Sequence, residues 1–415
     1  MYSTIFYIIL GLYVFEFVFS KTLSYLNTLN WSDKLPTELS GIYDAKKYSD
    51  SMKYEKVKYS FGTISAVISF FVMYFVLVFG GFGYLYDLIS TYTTNEILRP
   101  VYFFGIIVLL QTIFSLPFSY YFTFVIEEKF GFNKSTKKLF FMDTMKSLLL
   151  SAVFGLGLLS LITWIYLKTA DNFWLYTWIV MTFFSVFMMM FYSSIIVPLF
   201  NKQTPLEKGE LREAIEKFAT KVGFKLDNIF VIDGSKRSSK ANAYFSGFGP
   251  KKRIVLYDTL ISDLSTDELV GVLAHEIGHY KKKHTLQMLT FSIVQTGLML
   301  YILGLALKIP EISYAMGSST PSFAVGLVAF GLLYTPISMI FGLLGNLLSR
   351  KNEYEADQFA GTNFNPTDLK NALIKLSRNN LSNLRPHPAY EFFNYSHPTV
   401  LKRLKALDEI NKNNE

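Results

Sequence analysis

Two histidines four residues apart, His275 and His279, bracket Glu276 in the run GVLAHEIGHYKKKH. The run has no proline, and apolar Val272, Leu273, Ile277 and Tyr280 fit a helix. Residues four apart share one helical face, so both imidazoles can point at one ion. Zn²⁺ accepts neutral imidazole nitrogen, and to be catalytic it needs a further ligand and one open position. Glu276, directly after the first histidine, leans toward that open position, where it can take a proton from water. The same five letters also describe two surface histidines on a charged helix, so the remaining chain must decide between these readings.

A third ligand should be a carboxylate or an imidazole. In NEYEADQFA, Glu353 and Asp357 lie four apart on one helical face, with small Ala356 beside them to allow close helix approach. Glu353 could ligate the ion while Asp357 accepts the second N–H of a ligand imidazole, fixing its tautomer. The alternative is an exposed acidic helix start favoured by the helix dipole. Glu355 faces elsewhere and receives no role. The chain has five histidines. His284 comes nine residues after His275, where the extended three-histidine zinc pattern needs ten and a glycine, so it reads as an interfacial residue rather than a ligand. His387, in RPHP, reads as a loop residue. His397 could hydrogen-bond a developing oxyanion with Arg403 as a fixed positive charge nearby, or simply begin a helix.

These residues must be positioned by a chain whose composition is that of a membrane protein. Over 415 residues, 51% are hydrophobic, 17% aromatic and only 17% charged. There is no cysteine, which excludes disulfides, thiolate metal sites and a cysteine nucleophile. The formal net charge of +8 comes from Lys and Arg gathered in alternate loops, and no nucleic-acid-binding pattern is visible. Seven stretches are long and apolar enough to cross a bilayer, at about 3–20, 60–88, 100–126, 147–167, 173–199, 285–308 and 321–348. The first lacks a basic start and a small-residue cleavage site and reads as a retained span. Loop one carries Lys34, Lys46, Lys47, Lys53, Lys56 and Lys58, and loop three carries Lys129, Lys134, Lys137, Lys138 and Lys146. The intervening loops are short and nearly free of both residue types, which predicts an outside or luminal N-terminus and a cytoplasmic C-terminus.

The expected division is therefore 1–200 for spans one to five, 201–284 for a cytoplasmic α+β segment, 285–348 for spans six and seven, and 349–415 for a helical tail that completes the zinc site. Within 201–284 the patterns predict a helix over Leu206–Val222, a strand around Ile229–Ile232, and a hairpin of ANAYFSGFG and KKRIVLYDTLI hinged on Gly247, Gly249 and Pro250. The helix bearing the histidines should start at Thr266.

With these motifs in view, the chain resembles the type I CAAX prenyl protease family of integral-membrane, gluzincin-type zinc endopeptidases. The likeness rests on EEKFGFN, PLFNKQTPL, NAYFSGFGPKKRIVLYDTL, LAHEIGHYKKKHT, NEYEADQFA and YSHPTVLKRLKAL, in that order along nearly the whole length. Tyr280 stands where the family often has Trp. The resemblance implies His275, His279 and Glu353 as ligands of one Zn²⁺ per chain and Glu276 as catalytic base. It implies His397 and Arg403 beside the substrate carbonyl, and Asn242 and Tyr244 on an edge strand along which an extended peptide lies. It also implies a mainly α, seven-helix bundle enclosing a chamber, with a small α+β metalloprotease domain on its cytoplasmic side. The expected function is peptide-bond hydrolysis, either of prenylated C-termini or of a broader set of peptides and membrane proteins. The expected location is the cytoplasmic membrane in a bacterium or the endoplasmic reticulum membrane in a eukaryote. Two rival readings are a quality-control protease of the HtpX kind, which has fewer spans, and a non-enzymatic seven-helix sensor or transporter with a structural zinc site.

Overall fold

The computed structural model describes residues 3–32, 34–225, 229–247 and 252–414. It is dominated by helices, with one small four-stranded sheet. Five helical stretches are long and apolar enough to cross a membrane: Thr4–Thr28, Ala45–Val78, Leu98–Glu127, Lys137–Leu199 and His284–Ala306. A sixth forms if Phe323–Leu333 and Thr335–Asn363 count as one span bent by 57°. Pro336 sits just past that bend and has no N–H for the preceding turn, which accounts for the break. The stretches bury only 6–11% of their apolar windows, and Phe71, Ile113 and Phe183 stand exposed on them. Water would not tolerate so much bare apolar surface, whereas lipid does.

Three expected spans differ in detail. The stretch expected at 60–88 ends as a helix at Val78, and a separate helix, Gly81–Tyr92, follows a turn at Gly80 with φ of +62°. That turn packs backbone to backbone: a Cβ on Gly317 would lie 2.8 Å from the Cα of Gly80. The spans expected at 147–167 and 173–199 fall within the single helical stretch Lys137–Leu199. Kept straight, its 63 residues would reach about 95 Å, three times the hydrocarbon thickness. Ala170 interrupts it at φ of +43°, and the rings of Tyr166 and Phe173 meet at 5.3 Å. Seven residues of straight helix would hold those rings about 10 Å apart, so the chain turns there.

The polar elements gather at one end. The sheet has the order β1-β2-β4-β3, where β1 is Gln203–Pro205, β2 Ile229–Ile232, β3 Ala243–Ser246 and β4 Arg253–Tyr257. β3 and β4 pair antiparallel, as a hairpin requires, while Gly249 and Pro250 lie outside the described residues. β2 runs parallel to β4, with α1 (Glu210–Lys221) before it. The helix expected from Leu206 begins four residues later because the Leu206 N–H donates to the Ile229 carbonyl and extends the strand pairing instead. Four further helices complete this end, or enter it from the membrane: α2 (Thr266–Lys281), α3 (Thr335–Asn363), α4 (Pro366–Asn379) and α5 (Val400–Asn414). Their shared core contains Ile215, Ile254, Leu256, Leu273, Ile277, Leu369 and Leu407. Loop one contributes Leu39, Ile42, Tyr43 and Met52 to the same core, and loop three joins through the Asn133–Ser238 bridge. The lysine-rich loops and both polar segments therefore lie together.

Candidate zinc site and its family

The α2 helix starts where its sequence dictates. Ser265 caps it, accepting from the Glu268 N–H while its own N–H donates to Glu268 Oε2 at 2.8 Å. Leu269, Leu273, Ala274 and Ile277 then bury one face, which turns His275 and His279 toward α3. There the face of α3 carrying Glu353, Ala356, Asp357 and Ala360 is buried. Gly278 makes the approach possible, since a Cβ on it would lie 3.1 Å from the Ala356 carbonyl oxygen.

This docking brings His275, His279 and Glu353 together. The two Nε2 atoms face each other at 3.1 Å. His279 Nε2 lies 3.3 Å from Glu353 Oε1, and His275 Nε2 lies 3.5 Å from Glu353 Oε2. Atoms each about 2.0–2.1 Å from one tetrahedral ion stand about 3.4 Å apart, so the set has the right size for zinc. Its chemistry fits as well, with two imidazole nitrogens and one carboxylate. Glu353 Oε2 is buried and makes no geometrically good hydrogen bond, with Arg403 Nη1 at 3.3 Å its nearest fixed cation, so it keeps a lone pair free for a metal ion.

Behind the ligands, the His275 Nδ1–H donates to Asp357 Oδ1 at 2.8 Å. Arg403, from α5, grips the same carboxylate with two hydrogen bonds of 2.8 and 2.6 Å. Asp357 is wholly buried. Burial and the Arg403 charge press His275 toward its neutral form, yet the hydrogen bonds to Asp357 and Glu353 outweigh them and push its pKa up to about 9. The Asp357 hydrogen bond fixes the tautomer and leaves Nε2 to face the site. Burial works against the Arg403 charge too, but Asp357 raises its pKa above the ordinary arginine value.

Glu276 is half-buried beside the ligands, and its carboxylate has no hydrogen-bond or ion-pair partner among the described residues. His397 is 62% exposed at the side chain and lies 3.2 Å from Glu353 Oε1. Its loop is fastened by Arg350, which donates to the carbonyls of Phe392 and Tyr395. Arg403, expected beside a substrate carbonyl, is buried and spends its best hydrogen bonds on Asp357, with Nη1 3.3 Å from Glu353 Oε2. Tyr244 lies on β3, an edge strand of the sheet, with its hydroxyl 3.2 Å from Ser193 Oγ. Asn242 just precedes that strand, and its side-chain oxygen accepts from the Ala243 N–H.

His387 caps the helix Pro388–Asn394. His284 begins the helix His284–Ala306 and is buried, with Nδ1 3.0 Å from His279 Nδ1 and Nε2 3.1 Å from the Oε2 of Glu355, a contact the sequence did not announce. Lys283, at φ of +60°, turns the chain back so that His284 meets the end of α2. Nothing in the spacing of the histidines announces such a turn, because lysine rarely adopts that conformation.

The same architecture occurs in known proteins. Residues 24–202 match the family model described as CAAX prenyl protease N-terminal, five membrane helices, and residues 205–411 match that of Peptidase family M48. The chain is 36% identical to CAAX prenyl protease 1 of Saccharomyces cerevisiae, over 98% of this chain and 95% of that one. It is 33% identical to the human CAAX prenyl protease 1 homolog, over 90% and 88%. A crystal structure of S. mikatae Ste24p superposes with a TM-score of 0.93 at 36% identity, covering 98% of this chain and all of that one. With a zinc-sized His–His–Glu set under a bundle of membrane helices, and likeness along its whole length, the chain belongs to peptidase family M48 and is a multi-pass membrane zinc metalloendopeptidase.

Proposed function

We propose that this enzyme cleaves extended peptides at a single zinc held by His275, His279 and Glu353, and that its substrates include the prenylated C-termini on which its named relatives act. The observation that carries the site assignment is the convergence of two Nε2 atoms and a buried carboxylate within 3.5 Å of one another. Zinc bound there supplies Lewis-acid polarisation of the scissile carbonyl and lowers the pKa of water. Glu276, free of other partners, takes the water's proton and delivers it to the leaving amine. His397, exposed at the rim, donates a hydrogen bond to the oxyanion that develops on the carbonyl. Arg403 acts from behind, holding Asp357 against the His275 N–H and lending a fixed positive charge. Substrate adds as a strand beside β3, near Asn242 and Tyr244, so main-chain hydrogen bonds supply affinity with little sequence preference.

Counting the Lys137–Leu199 stretch as two spans and the bent pair as one gives seven, around a water-filled chamber. A cavity of about 590 Å³ among the spans, whose mixed lining includes Thr112, Ser115, Ser119 and Ser147 beside Leu116 and Phe122, supports that reading. The charge of the gathered loops supports a cytoplasmic C-terminus and an outside or luminal N-terminus, in the endoplasmic reticulum membrane of a eukaryote or the cytoplasmic membrane of a bacterium. We keep the division into 1–200, 201–284, 285–348 and 349–415, with the second and fourth segments sharing the zinc.

Glu276→Gln should retain zinc and lose turnover by about 10²–10⁴-fold. Full activity with confirmed zinc would remove Glu276 from the mechanism. Mass spectrometry of products from a library of prenylated and plain peptides tests the substrate. Equal cleavage of both sets would show that prenylation is not read.

A further inference from the structure

Metal-ligating imidazoles need their second nitrogen fixed, because a neutral ring carries one N–H and presents a lone pair only on the other nitrogen. For His275 that partner is Asp357. Among the described residues no carboxylate meets His279 Nδ1, which instead lies 3.0 Å from His284 Nδ1. His284 Nε2 lies in turn 3.1 Å from Glu355 Oε2. His284 is buried, while Glu355 sits at the surface with Lys351 3.7 Å from its other oxygen.

We infer that His284 and Glu355 form a positioning relay that sets the tautomer of His279. The inference rests on the zinc reading of the site. An ionised Glu355 can only accept, so a neutral His284 donates through Nε2–H and keeps its lone pair on Nδ1. That lone pair accepts the His279 Nδ1–H. The Nε2 lone pair of His279 is thereby directed at His275 and Glu353, where a cation belongs. The reverse arrangement would place a proton on His279 Nε2, 3.1 Å from the Nε2 of His275, and no ion could be shared. The two imidazoles are thus fixed by different means, one by a buried Asp–Arg pair on α3 and α5. The other is fixed by a second imidazole delivered by the turn at Lys283.

The test uses the full-length protein in detergent, loaded with zinc and titrated with a graded series of chelator. His284→Leu should weaken zinc affinity by about 10–100-fold, the usual effect of removing a partner behind a ligand. His284→Asn places an amide oxygen near the former Nδ1 and should restore most of that loss. Glu355→Leu should weaken binding as well, by freeing the His284 tautomer. Cobalt(II) substitution gives a second readout, since the visible bands of the bound ion should change in His284→Leu and return in His284→Asn. Melting of each variant in excess chelator should match wild type, which separates the relay from folding. Wild-type affinity in His284→Leu, or an Asn variant as weak as Leu, would overturn the relay. If Glu353→Ala holds zinc as tightly as wild type, the site assignment itself falls, and the relay with it.

Discussion

Replacing Gly278 with alanine tests whether the contact between α2 and α3 sets the metal site. The added Cβ would meet the Ala356 carbonyl oxygen at 3.1 Å, the Ala356 Cα at 3.2 Å and the Phe359 Cβ at 3.2 Å. Comfortable contact begins near about 3.5 Å, so the helices must part by roughly 0.3–0.4 Å. Two of the three neighbours are backbone and cannot swing aside. Alanine gains about 1 kcal/mol of helix propensity over glycine, whereas overpacking costs about 1–3 kcal/mol. The expected balance is a loss of up to about 2 kcal/mol. The separation also acts on the site, since His279 follows Gly278 directly and faces Glu353 across the same seam. That displacement uses most of the about 0.5 Å within which binding geometry holds, so zinc affinity should fall modestly alongside stability. Thermal unfolding in excess chelator, together with zinc competition on the folded protein, measures both. A variant that melts higher than wild type and holds zinc equally well would refute the reasoning.

Other outcomes follow from the same contacts. Asp357→Asn takes from the buried Arg403 its bidentate anionic partner, leaving only Glu353 at 3.3 Å, and should cost up to about 3–5 kcal/mol in chelator melts, a loss that would be absent if the pair were solvated. Ser265→Ala removes the cap of α2 and should cost about 1 kcal/mol. Burial works against ionised Glu268, but hydrogen bonds from Lys375 and from Ser265 outweigh it and lower its pKa. Its stabilisation is therefore fully present above the ordinary carboxylate value of about 4.3 and lost as pH falls through the lowered one. The stability gap between wild type and Glu268→Gln should close across that acid window, and a gap independent of pH would contradict the assignment. Tyr43→Phe removes a hydroxyl shared by the carbonyls of Ser377 and Ser382 at 2.9 and 3.0 Å, and because the Ser382 N–H and the Ser51 hydroxyl still donate to them it should cost only about 0.5–1.5 kcal/mol.

Much of the architecture was legible in the chain because the relevant patterns are local. Spans announce themselves by unbroken apolar runs, and α2 by its capping box. The spacing His275–Glu276–His279 sets a metal-facing side without reference to anything distant. Less legible were breaks made by residues that carry no breaking signal. Lys283 adopts positive φ although it is neither Gly nor Asn, so the return of His284 could not be anticipated, whereas the gap between the spans at 147–167 and 173–199 announced the turn near Ala170 without naming the residue that makes it. Short β1 escaped notice because three residues show no alternation, and its pairing with β2 is a tertiary event.

Residue type and spacing by themselves determined which side chains could bind a cation and how far apart they stood on their own helices. They also determined that the polypeptide must live in lipid. What they left open was which atoms meet. Only the packing of α2 on α3, with Gly278 against Ala356, brings Glu353 within 3.5 Å of both imidazoles. Only the arrival of α5 turns Arg403 onto Asp357. Those pairings join positions 46 to 78 residues apart, and no local rule encodes a distance between helices that touch only after the chain has folded.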